Sequence, residues 1–175
     1  MATQPPTSRP RTSRLHEAHD AKIVRASVLT VSDTRTVEDD ESGALIEQLL
    51  RAAGHEIGSR TVVKDDRAAI RRSVQWLVSE EVDVLIMTGG TGIARRDVTC
   101  ESIESLLEKR LEGFGEAFRR LSWDQIGPKA ILSRATAGTM GSTLLFALPG
   151  STKAVRLAME AIILPVLTHA VGLMR

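Results

Sequence analysis

Tyrosine is absent from the 175-residue chain, and Cys100 is its only cysteine. One thiol allows no internal disulfide and no cysteine-based zinc cluster, and suits a reducing cytoplasm. Aromatic residues make up 3% of the chain, too few for a surface that stacks single-stranded bases. Net charge is scarce as well. With 23 basic and 22 acidic residues the formal charge is +1, so no general attraction to nucleic acid or to a membrane surface is expected. No uninterrupted apolar run reaches the roughly 18 residues needed to span a bilayer, and the N-terminal stretch lacks an apolar signal core. The histidines, His16, His19, His55 and His169, fall in no metal-ligand spacing. These absences point to a cytoplasmic globular protein whose binding chemistry is local.

The hydrophobic fraction of 42% and the length fit one domain with a substantial core. Residues 1–21 carry Pro5, Pro6 and Pro10 with Arg9, Arg11 and Arg14, and read as a disordered tail, with a basic docking arm as the alternative. Residues 22–175 form the domain. Within it, residues 23–31 alternate and then concentrate apolar and β-branched side chains, as a strand does, and run into Ser32-Asp33-Thr34-Arg35. That polar cluster is either a turn of good turn formers or part of the ligand edge that open α/β sheets present at their strand C-termini. The acids at 38–41 precede a helical spacing at Leu45, Ile46, Leu49, Leu50 and Ala53, closed by Gly54.

The unit then repeats. A strand over 57–63 ends at Lys64-Asp65-Asp66, and Ile70, Val74, Leu77 and Val78 mark one face of a helix that Asp66 can cap. A strand over 82–88 leads through a glycine loop to a helix with Ile103, Leu106 and Leu107, for which Thr99 is the expected cap. Three successive strand-then-helix units predict a mainly parallel sheet with helices on both faces. A helix near 113–121 follows, then a hairpin of 136–140 and 143–147 turning at Gly141-Ser142, which adds an antiparallel strand. Ser151 opens the last helix, interrupted at Pro165.

The stretch from Thr88 to Thr99 concentrates the chemistry. It offers a glycine turn, Thr88-Gly89-Gly90-Thr91-Gly92, followed by Arg95, Arg96 and Asp97. The P-loop lysine is missing, and so is the third glycine of the dinucleotide fingerprint. A tight connection with solvated arginines would explain the stretch. Exposed N–H groups, hydroxyls, guanidinium forks and a carboxylate better suit a phosphate with a bound cation.

Thr88-Gly-Gly-Thr-Gly92, Arg96-Asp97-Val98-Thr99, Val31-Ser32-Asp33, Gly113-Phe-Gly-Glu116, Ile131-Leu-Ser-Arg134 and Leu148-Pro-Gly-Ser151 occur here in one order. Together they resemble the MoaB/MogA family of molybdenum cofactor biosynthesis over about residues 22–174. The resemblance implies a three-layer α/β/α sandwich, commonly assembled as a trimer or a dimer of trimers. It also implies molybdopterin adenylyltransferase activity: AMP passes from Mg–ATP to the terminal phosphate of molybdopterin, and pyrophosphate leaves. On this resemblance Asp65 and Asp97 are the catalytic pair that organises Mg²⁺ through the ATP phosphates. Ser32, Asp33, Thr88, Gly89, Gly90, Thr91, Gly92, Arg96, Ser133, Pro149, Gly150 and Ser151 bind substrate, and a downstream metal-insertion protein is the implied partner. The alternative is a non-catalytic pterin-binding or scaffolding subunit. Many relatives carry proline at the positions of Cys100 and Thr152; Cys100 reads as a packing residue.

Overall fold

The structure, a computed structural model, describes Ala21 and residues 23–175. The expected disordered tail lies outside the described residues except at Ala21, which is buried and donates its N–H to the Thr168 carbonyl at 2.9 Å.

Six strands form one sheet in the order β2-β1-β3-β6-β5-β4: β1 is Arg25–Val31, β2 Glu56–Val63, β3 Val84–Thr88, β4 Lys109–Arg110, β5 Thr136–Met140 and β6 Thr143–Leu148. β2, β1, β3 and β6 are parallel, and β5 and β4 complete the sheet through antiparallel pairings. The two-residue turn Gly141-Ser142, with Gly141 at φ +57°, makes the expected hairpin. β4 is a two-residue, exposed, charged strand that no hydrophobic pattern announces.

The period of two in the strands builds both faces. Ala26, Val28, Val84, Ile86, Leu144 and Phe146 point to one side, where they meet α1 (Glu41–Ala52), α4 (Glu112–Ile126) and the C-terminal helical run. Leu29, Val31, Leu85, Met87, Leu145 and Ala147 point to the other, against Ile70, Val74 and Leu77 of α2 (Arg67–Ser79) and Ile103 of α3 (Thr99–Glu104). The three-layer α/β/α sandwich follows from strands buried on both faces.

Most helix ends are those the sequence advertises. Asp40 caps α1 by accepting from the Gly43 N–H, and Asp66 caps α2 by accepting from the Ala69 N–H. Thr99 departs from expectation. The residue preceding α3 is Val98, without a side-chain cap, because the Thr99 hydroxyl donates instead to the Gly89 carbonyl at 2.9 Å. Pro165 does not interrupt the last helix either. α5 (Thr152–Ala158) passes through a π turn, Met159–Ile163, into α6 (Leu164–Gly172), and the Leu164 N–H bonds back to the Met159 carbonyl. The wider turn sets Pro165 at the start of the next α-helical segment, where a missing N–H costs little.

The continuous run Thr152–Gly172 has 21 residues and a mean hydropathy of 1.6 in its most apolar window, enough by length and composition to cross a membrane. Its Val155, Ala158, Met159, Ile163, Leu167 and Val171 pack onto the sheet while Lys153, Arg156 and Glu160 are exposed, as in the core helix of a globular domain.

Asp40 is 1% exposed and does more than cap. Its carboxylate also accepts from the Thr30 hydroxyl at 2.7 Å, with the Arg60 guanidinium 3.5 Å away. Asp40→Ala is expected to cost about 2–4 kcal/mol, since it orphans a buried hydroxyl and a helix N–H together. Urea unfolding measures the loss, and a cost under about 1 kcal/mol would mean that water replaces the carboxylate.

Candidate functional site

Strand order reverses at β1, which has β2 on one side and β3 on the other. Open α/β sheets place ligands outside the strand C-termini at such a switch point. The polar turns predicted after β1, β2 and β3 all emerge there.

Their residues converge on a cleft of about 140 Å³ lined by Ser32, Asp33, Asp65, Gly90, Arg96 and Asp97, with Val31 and Thr34. The three turns are stitched together. The Asp65 N–H donates to Asp33 Oδ1 at 3.1 Å, and the Val98 N–H donates to Asp65 Oδ1 at 3.2 Å. Asp97 Oδ2 accepts from the Ala94 N–H at 2.9 Å, which folds the arginine segment into a compact turn. The Ser32 hydroxyl accepts from the N–H groups of Thr34 and Arg35, so the segment after β1 is both a turn and a cleft wall.

The glycines are required by close approach. Gly89 has φ +94°, and a Cβ there would lie 2.2 Å from the Val31 carbonyl oxygen. Gly90 has φ +62°, and its Cβ would lie 3.0 Å from both Asp65 carboxylate oxygens and 2.4 Å from the Thr99 hydroxyl. Only glycine lets the loop lie against both neighbouring strand ends.

A second cleft of about 120 Å³ adjoins the first through Val31 and Ser32 and is lined by Thr88, Gly89, Gly150, Arg35, Asp40 and Ser42 among others. Thr88 donates its hydroxyl to the Pro149 carbonyl at 3.1 Å, and Ser42 donates to the Gly150 carbonyl at 2.7 Å, which fixes the turn after β6. Ser151 accepts from the Ala154 N–H at 3.2 Å as the N-cap of α5. Thr91 is buried, and its carbonyl accepts from Arg134.

Ser133 does not join the carboxylates. It lines a larger cavity of about 370 Å³ with Cys100, Glu101, Arg119 and Arg134, and its buried hydroxyl has no hydrogen-bond partner among the described residues. Arg134 lies between this cavity and the glycine loop. With Ser42 and Asp40 it is a site residue that sequence reasoning missed. Arg134 stood inside the Ile131-Leu-Ser-Arg134 match, a signal that could have found it, whereas the acids around Asp40 were accounted for by the helix start.

Three carboxylates face one guanidinium in the first cleft. Burial raises the Asp65 carboxyl above the usual carboxylate range, the charges of Asp97 and Asp33 add to the rise, and the Val98 N–H and Arg96 oppose it. Folding thus penalises ionised Asp65. Because the folded state holds this proton more tightly, stability falls as pH rises from the usual carboxylate range through the raised value. Asp65→Asn is therefore expected to raise Tm near pH 7 and to lose that advantage near about pH 3, where both states are protonated. An unchanged or lower Tm of this variant at neutral pH would show that Val98 and Arg96 offset both the burial of the charge and the repulsion.

Cys100 donates its thiol to the Arg134 carbonyl at 2.9 Å, and burial pushes its pKa up to about 11. It is expected to alkylate far more slowly than a free thiol at pH 8, with iodoacetamide labelling followed by mass spectrometry as the measurement.

Among the described residues no group of three or more histidine, cysteine, aspartate or glutamate side chains forms a ready metal cage. Asp65 and Asp97 are the carboxylates of this cleft that could hold a cation only together with oxygens from a ligand or water.

The parallel sheet, its switch point and the polar cleft beside the glycine loop define an α/β domain with a ligand site at its strand C-termini, and residues 27–169 match the family described as "Probable molybdopterin binding domain". The chain belongs to the MoaB/MogA family of molybdenum cofactor biosynthesis proteins. It is 49% identical over 156 residues to Molybdenum cofactor biosynthesis protein B of Bacillus cereus, covering 88% of this chain and 92% of that one. A crystal structure of the tungsten cofactor synthesizing protein MoaB from Pyrococcus furiosus superposes with a TM-score of 0.81 at 37% identity, covering 88% and 98% of the two chains. A MogA structure superposes with a TM-score of 0.80 at 31% identity, covering 86% and 99%.

Proposed function

We propose that this protein is a molybdopterin adenylyltransferase of molybdenum cofactor biosynthesis. The observation that carries the reading is the convergence of Asp65, Asp97, Asp33 and Arg96 on one cleft beside the glycine loop. In the reaction, an oxygen of the terminal phosphate of molybdopterin bonds to the α-phosphorus of ATP. The bond from that phosphorus to the bridging oxygen breaks, and its electron pair leaves with pyrophosphate. The attacking phosphate is already ionised, so the protein needs no nucleophile of its own.

Its work is to hold two polyanions together and offset their repulsion. Arg96 supplies a fork for phosphate oxygens, and Gly89 and Gly90 let the loop pack against β1 and Asp65 closely enough to bring the groups of the cleft together. Asp65 and Asp97 would hold Mg²⁺ with the ATP phosphates. When bound, that ion supplies charge neutralisation on the phosphate oxygens. Asp33, tied to the Asp65 N–H, holds the turn that carries the second carboxylate at the cleft. The two smaller clefts are near neighbours, which suits two phosphate-bearing substrates meeting at one point. A homotrimer or dimer of trimers, cytoplasmic residence and hand-over to a metal-insertion protein belong to the same proposal.

The test is direct. Purified protein with Mg–ATP and molybdopterin should release pyrophosphate and form adenylylated pterin. Pterin binding with no product above a no-enzyme control would instead mark a non-catalytic pterin-binding subunit.

A further inference from the structure

We propose that Arg134 is the positioning residue for Asp97: it acts on the loop that carries the carboxylate and does not line the cleft. Its guanidinium spans three acceptors. Nε donates to the Thr91 carbonyl at 3.2 Å, Nη2 donates to the Asp97 carbonyl at 2.9 Å, and Nη1 pairs with Glu101 Oε1. The first two acceptors lie at either end of the turn that carries Arg95, Arg96 and Asp97. The third belongs to the first turn of α3.

Contacts within the turn and contacts from outside together shape it. Asp97 donates its N–H to the Ala94 carbonyl and accepts the Ala94 N–H in return, so the turn closes on itself. The Val98 N–H bond to Asp65 ties it down on the cleft side. Arg134 ties it on the side where the larger cavity begins. Arg134 is itself held: its carbonyl accepts from the Cys100 thiol, and Glu101, whose carboxyl is lowered by that guanidinium, fixes the fork. One planar group with donors on three nitrogens can bridge carbonyls from residues 91 and 97 and a carboxylate together. A lysine ammonium is a single point and cannot.

The role in turnover rests on the adenylyl-transfer reading, whereas the effect on the loop does not, and the experiment separates the two. In the full-length, ligand-free protein, Arg134→Ala and Arg134→Lys should each raise amide hydrogen exchange at Ala94, Asp97 and Val98 by about tenfold or more, leaving the β3 core amides protected. Unchanged exchange at these amides, or full protection in the lysine variant, overturns the proposal. A double-mutant cycle then reads Mg–ATP affinity by calorimetry. Arg134→Ala should weaken binding about tenfold in the wild-type background and less than about twofold with Asp97→Asn already present, because the two changes remove one function. Additive losses would show that Arg134 acts independently of Asp97 and overturn the positioning role. A wild type that binds Mg–ATP but forms no adenylylated pterin refutes the transferase reading alone; the exchange and binding results still decide the case of Arg134.

Discussion

Asp97→Asn is expected to lower the rate of adenylylated-pterin formation at least about 100-fold while the protein remains folded, and Asp65→Asn to do the same. The two substitutions keep the shape of each side chain. In Asp97→Asn the amide oxygen can still accept the Ala94 N–H, as Asp97 Oδ2 does at 2.9 Å, so the turn should survive. In Asp65→Asn it can likewise accept the Val98 N–H, as Asp65 Oδ1 does at 3.2 Å. What each variant loses is one negative charge at the cleft, where a magnesium ion would meet the ATP phosphates. The loss should fall on kcat and on Mg–ATP affinity, with pterin affinity little changed. Asp65→Asn adds a second signature, since removing a partly buried charge, and with it the repulsion from Asp97 and Asp33, should make it more stable at neutral pH than the wild type, the pattern of a site that trades stability for chemistry. Rates within a few-fold of wild type in either variant would remove that residue from the reaction.

The fold was legible to the extent that it rests on period and punctuation. Strands β1, β3 and β6 are largely apolar runs followed by turns, β2 is a mixed strand rich in β-branched residues towards its end, and Asp40, Asp66 and Ser151 stand at helix starts that the structure uses. What was not legible depends on distant partners. β4 exists because Lys109 and Arg110 pair with Thr139 and Gly138, and neither residue has strand character of its own. Thr99 looks like a cap in isolation, but a carbonyl ten residues back competes for its hydroxyl and wins. Pro165 looks like a break until the π turn before it absorbs the mismatch. The site divides in the same way. Asp65 and Asp97 follow strands whose C-termini must share one sheet edge, so their meeting could be anticipated. Ser133 and Arg134 come from the segment between α4 and β5, and only the packing shows that Arg134 reaches the glycine loop at Thr91 while Ser133 lines the larger cavity.

Gly89→Ala is expected to be the most destabilising single-methyl addition in the site, with a loss of about 3–5 kcal/mol. Two costs combine. At φ +94° a side chain is strained wherever it sits, and at this position its Cβ would also lie 2.2 Å from the Val31 carbonyl oxygen. That oxygen cannot move aside cheaply. It ends β1, which is hydrogen-bonded to β2 on one side and β3 on the other, and Gly89 is itself held by its N–H bond to the Leu148 carbonyl at 3.0 Å. Gly54→Ala separates the two costs, because Gly54 has a similar φ of +85° and, among the described residues, nothing within 4 Å of an added Cβ. The control should lose about 1–2 kcal/mol, the dihedral cost alone. Urea unfolding of both variants gives the difference, and equal losses would mean that β1 and the loop part without penalty. If the larger loss is found, the strand end must also shift, carrying Ser32 and Gly90 with it. Pterin and Mg–ATP binding should then weaken together in whatever fraction of Gly89→Ala stays folded, whereas Gly54→Ala, which lines neither cleft, should bind as the wild type does.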